Sequence, residues 1–367
     1  MEKVKISSFQ MFSLIFLLEL GSAVVVGLGV QAKQDAWLAI LIGMIGGLVL
    51  FLIYYYLFSQ YPDLPLTSYI PKVFGKMIGY PVAVLYILYF IYIASRVLRD
   101  LGSLLVISTL GQTPLWVINV LVIFIIVYAN YLGIEPLARA GEIFFFVFIF
   151  FLLSSNFFIF VSGLVKVENL LPVLEEGWKP VFTTAFPLTF TFPFGEMIVF
   201  TVLMPYLNRP HSNLKTGLSA ILISGITLSL ILAVDIAVLG TQKAETSMFP
   251  LLETVSRVNI GHFFQRLDAI VISILIIGGF FKISIFTYAA VVGTADLLKV
   301  KARKHPAIVY FICIFTFIVS LLNADNFQEH IYIGLKIVPF YLHLPLQTGI
   351  PLLLLLVVWI RKKLKPH

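Results

Sequence analysis

A single cysteine, Cys313, stands in these 367 residues, inside an apolar run. That excludes a disulfide framework and a thiolate metal site. The histidines at 211, 262, 305, 330, 343 and 367 are scattered, with no pair at metal-ligand spacing. No Walker loop, nucleophile elbow or dinucleotide fingerprint is present, so neither an enzyme nor a cofactor site is expected. Charge is scarce as well, at 12% of residues. In its place the chain is 60% hydrophobic, with a mean hydropathy of +1.02. A soluble domain of this length could not hide so much apolar surface, which implies a polytopic membrane protein.

The first five residues, Met1-Glu2-Lys3-Val4-Lys5, imitate the basic region of a signal peptide. The apolar run after them is interrupted by Glu19, extends to about Val30 and has no small-residue cleavage site, so it reads as a retained first helix. Ten segments are long enough to cross a bilayer core of about 30 Å. Their limits are 8–31, 36–59, 80–109, 114–132, 139–162, 184–207, 214–240, 264–295, 306–323 and 337–360. The chain is then one all-α transmembrane domain, 1–367. With the N-terminus on the cytoplasmic side, 15 lysines and arginines fall inside and 7 outside, while Arg96, Arg99 and Lys282 stay within the membrane. The bias places both termini in the cytoplasm. The net charge of +7 needs no nucleic-acid partner; the basic loop 299–304 and the basic tail suit anionic lipid headgroups.

Two segments are broken alike. Segment one contains Gly21-Ser22-Ala23-Val24-Val25-Val26-Gly27-Leu28-Gly29, and segment six contains Phe192-Pro193-Phe194-Gly195-Glu196. Glycine lowers helix stability, and proline removes a donor and clashes with the preceding turn. Irregular backbone at membrane depth is tolerated only where protein buries it or where it lines a cavity. An odd number of segments per repeat inverts the second copy, so ten divide as five plus five: repeat one about 8–162, repeat two about 184–360. Broken helices one and six then open each repeat, the arrangement of the LeuT-like fold, with a ligand site expected near the midplane. Two loops add detail. Prolines 62, 65, 71 and 81 with Lys72 and Lys76 suggest a short helix on the cytoplasmic surface. Pro250 and the Glu253–Arg257 spacing suggest an amphipathic helix over the outer vestibule.

The stretch Asn169-Leu170-Leu171-Pro172-Val173-Leu174-Glu175-Glu176-Gly177-Trp178-Lys179-Pro180-Val181, followed by the Phe192–Glu196 break, resembles the B subunits of spore germinant receptors. The short basic C-terminus, the length and the ten-segment layout fit as well, so the resemblance covers essentially the whole chain. It implies an amino acid permease-like protein of the bacterial spore inner membrane. It also implies sensing of a small nutrient, often an amino acid, together with an A subunit and a lipoprotein C subunit. The permease-like pattern opens the first break with Gly-Ser-Gly; here Gly21-Ser22-Ala23 makes close backbone approach less easy. Two other functions share the fold: an amino acid or cation transporter, and a scaffold whose own site is degenerate.

Candidate site residues follow from the breaks. Backbone N–H groups of Gly21, Ser22, Ala23, Val24 and Gly27 suit a carboxylate, and free carbonyls suit an ammonium group. A packing seam like that of Gly43, Gly46 and Gly47 is the other reading of these glycines. Phe192, Phe194, Gly195 and Glu196 bring the second break to the same site. A carboxylate at mid-membrane is costly, so Glu196 and Glu19 are each either ion-paired, protonated or functional. Asp235 reads as interfacial. Tyr89, Tyr92, Arg96, Arg99 and Ser103 share one face of segment three, with Asp100 spaced to pair with Arg96. Arg96 suits gating, whereas Arg99 can also snorkel outward. Lys282 in segment eight can stand in for a bound cation and pair with Glu196, or sit neutralised by burial. Ser284 and Thr287 are either ligand-facing hydroxyls or satisfied by their own helix.

Overall fold

The computed structural model describes residues 5–260, 264–265, 267–300 and 305–364. Lys3, the basic residues at 301–304 and those beyond 364 lie outside the described residues, and with them most of the loop and the end of the tail expected to meet lipid headgroups. The chain is almost wholly helical. Helix α1, Ser8–Leu20, opens on a capping box: the Ser7 hydroxyl accepts from the Gln10 amide at 3.1 Å, and the Gln10 side chain accepts from the Ser7 amide at 2.9 Å. It ends at the first break, and residues 21–29 form turns before a 3₁₀ segment, Val30–Asp35. Then come α2 (Ala36–Gln60), α3 (Leu66–Phe74), α4 (Lys76–Ser108), α5 (Leu115–Leu132) and α6 (Ile134–Val161). Segment six is fragmented into α7 (Trp178–Thr184), a wide-turned stretch Ala185–Thr189, a 3₁₀ turn Phe194–Val199 and α8 (Phe200–Leu203). After it run α9 (Ser212–Leu239), α10 (Thr241–Thr246), α11 (Pro250–Ser256), α12 (Asp268–Leu297), α13 (Pro306–Leu322), α14 (Phe327–Tyr332) and α15 (Ile350–Leu364).

Eight helical spans among the described residues are long and apolar enough to cross a membrane, or nine if one bent pair counts as a single span. The ten expected from hydropathy are therefore not all full spans. α1 has only 13 residues, because the first break interrupts it, and the chain turns through 110° between Leu322 and Phe327. Asn326 caps the helix that follows that bend, its side chain accepting from the Glu329 amide at 2.9 Å. Phe146, Phe150, Leu153 and Phe157 recur along one exposed face of α6, as a lipid-facing stripe does.

α1 packs against α6, α9 and α12, and α12 packs along α4. The glycines of α2 bring it against the second break: a Cβ on Gly43 would lie 2.6 Å from the Thr189 carbonyl carbon, and a Cβ on Gly46 or Gly47 would strike Phe190 or Phe194. The first and last described parts of the chain lie on one face of the bundle. The Ile6 amide donates to the Tyr206 carbonyl at 2.9 Å, and Arg361 donates to the Lys72 carbonyl at 2.9 Å. On that face α3 is a docked helix, with Leu66, Tyr69, Ile70 and Val73 buried. The Thr67 and Ser68 hydroxyls donate to the Asp296 carboxylate at 2.7 and 2.6 Å. At the opposite face α11 closes over the bundle; Pro250 starts it, and Leu251 and Val255 are buried. The Arg257 and Lys243 side chains reach Glu253 at 3.4 and 3.2 Å.

Candidate ligand site between the two breaks

The first break leaves several amides free. Those of Gly21, Val24, Val25, Val26 and Leu28 find carbonyl acceptors nearby, whereas those of Ser22, Ala23 and Gly27 find none. Gly21 does not face open space. A Cβ there would meet the Lys282 methylene stem and the Leu18 carbonyl at 3.0 Å, and Gly278 of α12 approaches so closely that its own Cβ would lie 2.7 Å from the Gly21 Cα. Gly21 is therefore where two helix backbones cross, and Ser22 and Val26 are the residues of the break that line the cavity beyond it.

That cavity is small, about 50 Å³ of room for water centres, against the 10–15 Å³ that one water requires. Ser22 and Val26 form one wall, and Phe192 and Glu196 of the second break form another. Arg96 and Asp100 of α4 and His343 line it as well. Val26, Ile331 and Leu335 line this cavity and also a second one of about 300 Å³, which opens among Gln31, Glu245, Tyr332 and Lys336. These three apolar side chains are thus shared by the central space and this wider vestibule. Gly27, with Pro250 of α11 3.2 Å from where its Cβ would be, belongs to the vestibule wall.

Charge concentrates beside the cavity. Glu196 and Lys282 are 1% and 0% exposed, and the Lys282 Nζ lies 2.5 Å from Glu196 Oε2. The same ammonium sits 4.5 Å from the centre of the Phe192 ring. Glu19 is completely buried, and neither of its carboxylate oxygens has a hydrogen-bond partner. Arg96 and Asp100 do not pair with each other, as their spacing suggested. Both hold His330 of α14 instead. Arg96 Nη2 donates to the His330 carbonyl at 2.5 Å, and Asp100 Oδ1 lies 2.8 Å from His330 Nε2. A tertiary partner at the 110° bend outcompetes the neighbour one turn along.

A second polar network lies under the second break. The Tyr54 hydroxyl donates to the Gln347 carbonyl at 2.6 Å and sits 3.2 Å from the Gly195 carbonyl. Gln347 Nε2 donates to the Tyr89 hydroxyl at 2.7 Å, and that hydroxyl is 2.7 Å from His343 Nδ1. Tyr86 donates to the Leu346 carbonyl at 2.6 Å. A Cβ on Gly195 would collide with the Gln347 side-chain oxygen. The backbone of 333–349 is itself wide-turned, around Pro339 and Pro345.

Residues 5–328 match the family of spore germination proteins. Over 365 residues the sequence is 40% identical to spore germination protein KB of Bacillus subtilis (strain 168), covering 99% of this chain and 97% of that one. The chain belongs to the spore germination protein family. Spore germination protein XB of Bacillus anthracis is 23% identical over 91% of each chain. Two solved transporters share the fold. MhsT in complex with L-phenylalanine superposes with a TM-score of 0.67 at 11% identity, covering 96% of this chain and 97% of that one. A substrate-bound, outward-open Na⁺-coupled sialic acid symporter does so with 0.64 at 13% identity, covering 93% and 77%. The LeuT-like architecture expected from the paired breaks is thus the observed one.

Within this spore germination protein, several expected site residues point elsewhere. Thr287 is turned to α5, where it accepts from Asn130 Nδ2 at 2.8 Å and donates to the Ile283 carbonyl at 2.7 Å. Ser284 is fully buried in α12, away from the cavity wall. Ala23, Val24, Phe194 and Gly195 are buried in the framework that carries the walls. Arg99 does not snorkel; it is 5% exposed and donates to the Ser320 and Leu321 carbonyls at 3.2 Å. Asp235 is buried, 3% exposed, near the end of α9 and beside Thr254 of α11. His330, His343 and Gln347 were not singled out from the sequence, where histidines were weighed only as metal ligands. The usable signal was the four-residue spacing of His343 and Gln347, which puts two polar side chains on one face of an apolar segment.

Proposed function

We propose that this chain is the nutrient-sensing membrane subunit of a spore germinant receptor. It binds a small nutrient, such as an amino acid, in the central cavity, with both termini in the cytoplasm, and acts with an A subunit and a lipoprotein C subunit. The observation that carries this reading is the cavity itself, walled by both interrupted segments and sharing Val26, Ile331 and Leu335 with the wider vestibule. Family membership supports the germination role, and no catalytic activity is part of the reading. A nutrient that holds α14 and segment ten more tightly in one arrangement than in another biases the bundle, which partner subunits then read. Equal affinity for both arrangements would carry no signal.

A second reading, secondary transport, is favoured by the two transporters that share the fold. Against coupling to a metal cation at this place stands Lys282, a cation tethered beside Glu196 that cannot leave with a substrate. Purified protein in lipid nanodiscs should be stabilised against heat by its germinant. The same protein in vesicles should not accumulate that nutrient. Accumulation against a gradient would establish transport instead, and absence of any nutrient-linked stabilisation would reduce the chain to a scaffold.

A further inference from the structure

We propose that Arg96 and Ser22 form a carboxylate-recognition point, and that the central cavity takes a small monocarboxylic acid whose amino group is dispensable. This rests on the nutrient-binding reading above and names the chemistry of that site. Arg96 is 8% exposed and lines the cavity. Its Nη2 is committed to the His330 carbonyl, but Nη1 is buried with no hydrogen-bond partner. Among the described residues it has no carboxylate within 4.0 Å. Gly334 leaves room for the guanidinium, since any Cβ there would overlap Nη2. Ser22, 1% exposed, lines the same cavity with a hydroxyl that has no partner and an amide that has no backbone acceptor. A buried donor left unmatched is costly, and more so on a guanidinium offset only by the His330 carbonyl and the Tyr92 ring, 5.9 Å away. Arginine's planar fork is the group best matched to a carboxylate.

The rest of the wall explains why no ammonium is demanded. Glu196 is already in contact with Lys282, and Asp100 with His330. Each carboxylate on the wall therefore has a basic side chain of this chain beside it. The cavity's volume, room for a few waters, limits the acid to a short chain.

The test uses the whole chain in nanodiscs made with non-halide salts, and reads the unfolding midpoint while each probe is titrated. L-Alanine and L-lactate are both expected to stabilise; L-alaninamide and myo-inositol are not. Arg96→Gln should weaken the response to both acids by about tenfold or more, the usual worth of a charge-assisted hydrogen bond, and Arg96→Lys should lie between. The alanine–alaninamide comparison is made on the unaltered chain, so it stands even if Arg96→Gln does not fold. Equal binding of alaninamide, or alanine binding with lactate inert, overturns the proposal. So does full Arg96-dependent stabilisation by chloride alone, which would mark an inorganic anion site. Stabilisation by myo-inositol without the acids overturns the carboxylate class and leaves nutrient binding intact. No stabilisation by any probe removes both.

Discussion

Lys282 and Glu196 illustrate how a buried charge in this bundle survives. Each is sealed from solvent, and each is the other's close partner at 2.5 Å. Removing one partner of such a pair strands the other, with a typical penalty of about 3–5 kcal/mol, whereas removing both can be far milder. Glu196→Gln and Lys282→Met should therefore each lower the unfolding midpoint sharply, and the double change should cost less than the sum. Strictly additive losses in a double-mutant cycle would show that the two act separately. The sequence could propose this pair because each charge is expensive alone. It could not identify Glu19 as a fully buried neighbour whose carboxylate oxygens are unpartnered, because helical spacing says nothing of which partners α12 offers.

Interrupted elements, more than whole helices, shape the site. Gly21–Gly29 and Phe192–Glu196 were legible because glycine and proline punctuate an otherwise apolar text. The wide-turned stretch 333–349 was not: its prolines and glycines are spread among apolar residues, so the run read as one helix from 337. The same limit hid the 110° bend, where Asn326 caps a new helix that hydropathy alone folds into a loop. Nor could periodicity choose between Asp100 and His330 as Arg96's neighbour, since reach along a helix is local and the bend is not. The seam of α2 glycines is legible as packing, but not that its partners are Thr189, Phe190 and Phe194 of segment six. Gly43→Val should test that seam. The added side chain would enter the space of Thr189, whose hydroxyl donates to the Ala39 carbonyl at 2.6 Å. Overpacking of this kind costs about 1–3 kcal/mol. A drop in thermal stability should appear, and loss of any ligand-dependent shift should accompany it, because Thr189 leads directly into the second break. An unchanged midpoint would mean that α2 can slide away from segment six at no cost.

At the scale of the molecule, one face gathers the first and last described parts of the chain and α3, while the other gathers the residue 166–176 stretch, α10 and α11. Lys166 and Asn169 bond the Ala237 carbonyl near the end of α9, which fixes that stretch on the face opposite the start of α9. The fold therefore sets which loops lie together, but a bundle in isolation has no inside or outside. Only the lysine and arginine bias supplies that, with 15 on the side of the termini and 7 on the other. Single cysteines can decide it, because the sole native thiol, Cys313, is buried and should stay silent. Asp63 and Glu168 are both exposed, one on each face. Glu168→Cys should react with an impermeant thiol reagent added outside intact cells, and Asp63→Cys should react only after the membrane is opened. The reverse pattern would turn the molecule over. The wider vestibule, with the Val26, Ile331 and Leu335 side chains it shares with the central cavity, would then face the cytoplasm, where a nutrient arriving from outside the cell could not reach them.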